Sequence, residues 1–186
     1  MRRREHSRLR KPKSVILVIC EGETEAAYVE LLRRHYRLPI TIKSKVIGNK
    51  VNSRLINRFL KDEGLNGIDD TRIIYMYDAD VEPVVEKLKD MKGLLVLSNP
   101  CIELWFLLHQ RNHSKATTSK ELQRILESSH PLWVNYSKGI LNDKQKELLI
   151  ANRGKASERA KALDREGNPS TNMYQFIELL ESEKTA

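Results

Sequence analysis

A chain of 186 residues with 40% hydrophobic side chains can bury the core of one compact domain, and its net charge of +8 raises the question of where the positive charge lies. No stretch approaches the roughly 18 consecutive apolar residues of a membrane span, and the N-terminus is too charged to read as a signal peptide, so a cytoplasmic protein with no membrane partner is expected. Cys20 and Cys101 lie in apolar runs without CxxC spacing, which argues against a zinc site or a disulfide framework and for reduced core thiols.

Most of the charge is at the start. Arg2, Arg3, Arg4, Arg8, Arg10, Lys11 and Lys13 stand against Glu5, and the remainder of the chain is nearly neutral. Such an arm either binds phosphates through counterion release or serves as a flexible solubilising tail, and composition leaves both open.

After this tail, Ser14 to Cys20 has the β-branched richness of a strand buried on both faces. Gly22 permits a tight turn, and from Thr24 the residues Ala27, Tyr28, Leu31, Leu32 and His35 recur at helical spacing up to Pro39. Ile40 to Ile47 alternates as a second strand, and Val51 to Glu63 reads as a second helix that stops at Gly64 and Gly67. Thr71 to Tyr77 is a third strand running into Asp78-Ala79-Asp80; a short helix from about Pro83 to Met91 and a fourth strand, Leu94 to Ser98, follow.

Beyond Ser98 the pattern predicts helices alone. These are Pro100 to His109, Ser119 to Ser128, a basic helix from Asp143 to Arg165 with Gly154 as a candidate break, and Thr171 to Glu183; His130 to Gly139 is an aromatic loop. The expected fold class is α/β, a small parallel sheet of about four strands flanked by helices, Rossmann-like, with a C-terminal helical extension. Residues 1–13 form the tail, 14–110 the core and 111–186 an extension packed on it within a single domain.

In open α/β sheets, sites form outside the carboxyl ends of the strands. Glu21 follows the first strand, and Asp78 and Asp80 follow the third, so neighbouring strands bring them together. Side-chain alternation places Asp78 and Asp80 on one side of an extended segment, where they converge with Glu21 on one ion. Hard carboxylate oxygens without nearby histidine or cysteine suit Mg²⁺ or Mn²⁺, the ions of phosphoryl transfer. A lone DxD is a weak signal, but an EGxTE and a DxD at two strand ends are stronger together.

Each residue also has a plainer explanation. Glu23 and Glu25 complement the positive end of a helix dipole, and Asp80 fits an N-cap. Asn99 is a natural N-cap with Pro100 at the first helical position, and Glu103 lies in the first turn of an otherwise apolar helix, either as a dipole carboxylate or as a further acid of the site. His109 is expected to cap carbonyls or to satisfy a core partner. Lys138 follows Tyr136 in a loop able to fold over the site and meet a phosphate, or is a surface lysine. The helix with Lys144, Lys146, Arg153, Lys155, Arg159 and Lys161 either lines a nucleic-acid path or is a solvated face, given Glu147 and Glu158 among these residues. Asn168-Pro169-Ser170-Thr171 reads as a turn with a cap for the last helix.

The segments CEGETE at 20–25, YDAD at 77–80, SNPCIELWFLLH at 98–109, YSK at 136–138 and NPST at 168–171, in this order, resemble the RloB-like proteins. The resemblance runs from Ser14 onward, and the SNPCIELW block is its most specific part. It implies a Toprim-like fold in which Glu21, Asp78 and Asp80 bind Mg²⁺ or Mn²⁺, with Glu25 matching the second acid of the first motif and Glu103 the acid of the third. It further implies a metal-dependent nuclease of prokaryotic anti-phage defence that works beside an RloA-like ATPase partner.

The resulting expectation is hydrolysis of RNA, such as tRNA, or of DNA. Glu25, Glu103 and Lys138 would serve catalysis, and Arg2, Arg3, Arg4, Arg153, Lys155 and Arg159 would contact nucleic acid; a homodimer is left open. No basic groove stands out in the core sequence, which favours help from a partner. Two rivals remain: a non-catalytic module regulating an ATPase, and, ranked last for want of a GxxxxGK loop, a nucleotide-using transferase.

Overall fold

The computed structural model describes residues 15–38, 41–65 and 71–185, so Arg2, Arg3, Arg4 and the rest of the basic tail lie outside the described residues. Strand β1 (Val15–Cys20) is buried at every position, as its unbroken apolar run requires of a central strand. It pairs in parallel with β2 (Thr41–Val46) on one side and β3 (Thr71–Asp78) on the other, and β4 (Leu94–Asn99) extends the sheet beyond β3.

Side-chain alternation divides the core in two. Ile16, Val18, Cys20, Ile74, Met76 and Val96 pack under helix α1 (Glu23–Tyr36) and the C-terminal helices, whereas Leu17, Ile19, Tyr75 and Tyr77 pack under α2 (Ser53–Asp62) and α3 (Glu82–Lys89). The central layer of the first core is the short helix α4 (Glu103–Leu108), in which all six residues are buried. Helices α5 (Ser119–Ser129), α6 (Asp143–Ala151), α7 (Arg153–Lys161) and α8 (Met173–Thr185) complete the same side. Burial of each large apolar side chain there contributes about 1.5–3 kcal/mol. The two cysteines are buried free thiols, as expected. No helix among the described residues is long and apolar enough to cross a membrane.

The α/β class and the flanking helices match the sequence reading, with three corrections. The sheet has five strands in the order β2-β1-β3-β4-β5, because Ser170–Thr171, expected as a turn, pairs antiparallel with Ser98 and Asn99 as β5. The Ser98 and Thr171 hydroxyls hydrogen-bond at 2.9 Å, and the Asn172 side chain continues the pairing by accepting from Leu97 N–H at 2.6 Å and donating to the Leu95 carbonyl at 2.8 Å. A two-residue strand has no periodicity to read.

The expected helix from Pro100 is also shorter. Asn99 ends β4 instead of capping a helix, the Asn99–Pro100 peptide is cis, and α4 starts only at Glu103. The long basic helix breaks at Asn152, which closes α6 and opens α7, while Gly154 lies inside α7.

Candidate metal centre

The strand order changes direction between β1 and β3, which makes their carboxyl ends the natural crevice of the sheet. Glu21 prolongs β1: its N–H donates to the Met76 carbonyl at 3.1 Å, and its Oε2 accepts the Asp78 N–H at 2.9 Å. Asp78, the last residue of β3, accepts the Ile102 N–H through Oδ1 at 2.9 Å. One chain of hydrogen bonds thus links β1, β3 and the entry to α4.

Two further carboxylates come from helix starts. Glu25 is 4% exposed in the first turn of α1, where its Oε2 accepts the Gly22 N–H at 2.9 Å. Such a bond closes the helix end whatever else the group does. Glu103 is fully buried at the start of α4; its Oε1 accepts the Tyr136 hydroxyl at 3.1 Å and lies 3.8 Å from Lys138 Nζ, while its Oε2 has no hydrogen-bond partner.

Collecting these acids away from water shifts their titration. Burial, then the charges of Glu25, Glu21 and Glu103, push the Asp78 carboxyl up to about 9 against the pull of the Ile102 amide. Burial pushes Glu25 up to about 7, with backbone hydrogen bonds opposing and Glu103 and Glu21 adding to the rise. Glu21 is raised by burial first and by Asp80, against the Asp78 amide and Lys138. Lys138 is itself raised: partial burial opposes its charge, but Glu103, Asp78 and Glu25 outweigh it. One half-exposed ammonium, 3.8 Å from Glu103, stands against this group, and the raised carboxyls of Asp78 and Glu25 take up protons where no cation is bound.

The donor set is all hard oxygen, and the buried Oε2 of Glu103 has no oxygen or nitrogen hydrogen-bond donor. By donor type and by charge these residues fit Mg²⁺ or Mn²⁺. Among the described residues, however, no group of three or more His, Cys, Asp or Glu side chains is already arranged to hold a metal. Glu21, Glu25 and Asp78 are each tied to a backbone amide through one oxygen, which leaves the other oxygen of each for a cation.

Asp80 is exposed where the other acids are buried or half-buried, although its charge still acts on Glu21. Extension ends at Asp78, residues 79–80 form a bend, and the exposed Asp80 Oδ2 accepts the Ser119 hydroxyl at 2.8 Å at the start of α5. The side-by-side projection expected of Asp78 and Asp80 needs a strand that has already stopped.

The loop after α5 does reach the site. Phe106 and Trp133 stack with centroids 5.5 Å apart, Tyr136 meets Trp133 edge-on at 5.5 Å, and the Gly139 N–H donates to Thr24 Oγ1 at 2.9 Å. Thr24 and the Tyr136 hydroxyl are the contacts that sequence reasoning did not assign; the YSK segment marked the place but not the partner. His109 is buried, with Nδ1 at 2.7 Å from the Trp105 carbonyl, and burial holds it down to about 4, in keeping with a core role.

The three residues of α7 expected to contact nucleic acid divide. Arg159 donates to the Leu108 carbonyl at the end of α4 at 2.6 Å, and Arg153 donates to the Ile150 carbonyl at 2.9 Å, pairs with Glu181 at 3.5 Å and covers the Tyr36 ring. Lys155 is exposed. Two of the three thus help to hold the helices together.

Neither the curated proteins nor the solved structures compared with this chain give a match. The model of the family described as RloB-like protein matches residues 16–180. Among the described residues that span takes in the sheet from Ile16 onward, the acids Glu21, Glu25, Asp78 and Glu103 and the loop that carries Tyr136, and so the chain belongs to the RloB-like family.

Proposed function

We propose that this protein is a divalent-metal-dependent nuclease that hydrolyses phosphodiester bonds in RNA or DNA. The observation that carries the reading is the gathering of Glu21, Asp78, Glu25 and Glu103 at the carboxyl ends of β1 and β3, with at least two of their carboxyls pushed well above the usual range. Such a group costs stability in the metal-free chain and is relieved by a cation.

Glu21 and Asp78 would hold Mg²⁺ or Mn²⁺, joined by Asp80 on release from Ser119. The ion, when bound, supplies positive charge against the phosphate under attack. Glu25, with a carboxyl that exchanges its proton near neutral pH, is suited to accept a proton from the attacking water. Glu103 would complete the anionic wall and Lys138 would neutralise a non-bridging phosphate oxygen. The family resemblance supports a setting in anti-phage defence beside an RloA-like ATPase, and the modest basicity of the body supports substrate delivery by a partner.

A second reading has its own observation. Each of Glu21, Asp78 and Glu25 already accepts a backbone N–H, and no three acids form a ready metal cage among the described residues. A non-catalytic module of an ATPase-containing complex would need no more. Assays of purified protein on RNA and DNA, with and without Mg²⁺ or Mn²⁺, decide between them when run beside Glu21→Ala and Asp78→Ala. The nuclease reading requires metal-dependent cleavage lost in both variants; cleavage that survives both, or no cleavage and no metal binding, overturns it.

A further inference from the structure

We infer that Tyr136 is a positioning residue of the hydrolytic centre, which holds one oxygen of Glu103 so that the other is presented to the buried carboxylate group. This rests on reading that group as a metal-dependent hydrolytic centre.

Glu103 is fully buried, and its two oxygens are treated differently. Oε1 accepts from Tyr136 at 3.1 Å and is the oxygen nearest Lys138, whereas Oε2 has no oxygen or nitrogen donor, and the buried Cys101 thiol, a weak donor, is the other side chain that bears on this carboxylate. A purely structural buried carboxylate satisfies both oxygens, since an orphaned one costs about 1–3 kcal/mol or more. Leaving one oxygen without a strong donor while fixing the other is the arrangement of a group kept ready for a ligand.

Tyr136 is built to do the fixing. Its ring is packed edge-on against Phe106 of α4 and against Trp133, independently of its hydroxyl. Burial and the Glu103 charge raise the phenol, so it stays protonated and can only donate to that carboxylate. The loop that carries it is fastened a second time, by the Gly139 N–H on Thr24 in the first turn of α1, beside Glu25. It therefore spans the two helix starts that supply Glu25 and Glu103, and sets the position of Lys138 between its two fastenings.

Tyr136→Phe removes the hydroxyl and keeps the ring, and Glu103→Ala removes the acceptor that Glu103→Gln would keep, so the full chain is tested as Tyr136→Phe, Glu103→Ala and the double variant. The measurements are Mn²⁺ binding by calorimetry and single-turnover cleavage of labelled RNA or DNA. Tyr136→Phe is expected to slow cleavage about tenfold at saturating substrate with unchanged substrate affinity, and to cost nothing further in the Glu103→Ala background, because interacting residues give non-additive effects. An equal loss in both backgrounds, or none in either, overturns the role of Tyr136 while the parent still binds Mn²⁺ and cleaves. A parent that neither binds Mn²⁺ nor cleaves removes the hydrolytic reading, and this inference with it.

Discussion

Glu21 accepts the backbone N–H of Asp78 at 2.9 Å, so that the first acid of the chain's first motif clasps the first acid of its second across neighbouring strands. The bond has two separable parts, an acceptor oxygen and a negative charge. Glu21→Gln keeps the acceptor and removes the charge; Glu21→Ala removes both. Thermal unfolding should show Gln close to the parent and Ala less stable by about 1–2 kcal/mol, while calorimetry shows divalent-cation binding weakened in both. Equal cation affinity in the Gln variant and the parent would remove Glu21 from the metal centre.

The raised carboxyls make a pH prediction whose sign is fixed. Asp78 goes from an ordinary 3.8 to about 9 on folding, so the folded chain binds more protons than the unfolded chain throughout that window. Stability therefore falls as pH rises through it. His109, held at about 4, acts in the opposite sense only below its ordinary value of 6.5. Between about pH 7 and about pH 9 the metal-free protein should lose roughly 1–2 kcal/mol of stability, and Asp78→Asn, which retains an acceptor for the Ile102 amide, should flatten this slope. Denaturant melts at the two pH values, repeated in saturating Mg²⁺, measure it; Mg²⁺ should restore the loss in the parent but not in the variant.

Gly139 sits at φ +79, and a Cβ there would lie 2.9 Å from Cβ of Glu23. Gly139→Ala therefore meets both backbone strain and a contact too close to hold, and should destabilise by about 1–3 kcal/mol. Because its N–H is the bond to Thr24, hydrogen exchange should show that amide losing protection before the sheet does.

The arginines and the lysine of α7 should separate by assay. Arg159→Ala removes a donor from the Leu108 carbonyl and should lower stability by about 1–2 kcal/mol with little change in nucleic-acid affinity. Lys155→Ala should leave the melting curve unaltered and, if α7 borders the substrate path, reduce the salt dependence of binding by about one counterion. A thermal melt and binding titrations at several salt concentrations distinguish the two.

The sequence by itself determined the order of β1 to β4 and the helices between them, the two-faced burial of β1, the placing of acids at the ends of β1 and β3, and the free thiols of Cys20 and Cys101. All of these are local: apolar period, glycine punctuation and the residue that follows a strand can be read within a few positions. Only the tertiary structure decided that Ser170–Thr171 becomes a strand, that Tyr136 donates to Glu103, that Asp80 turns to Ser119 and that Arg159 closes α4. Each joins residues distant in sequence through one or two hydrogen bonds, which leave no period behind. The candidate site was thus legible as a set of charges, and its arrangement was not, because which oxygen faces which donor is settled by packing.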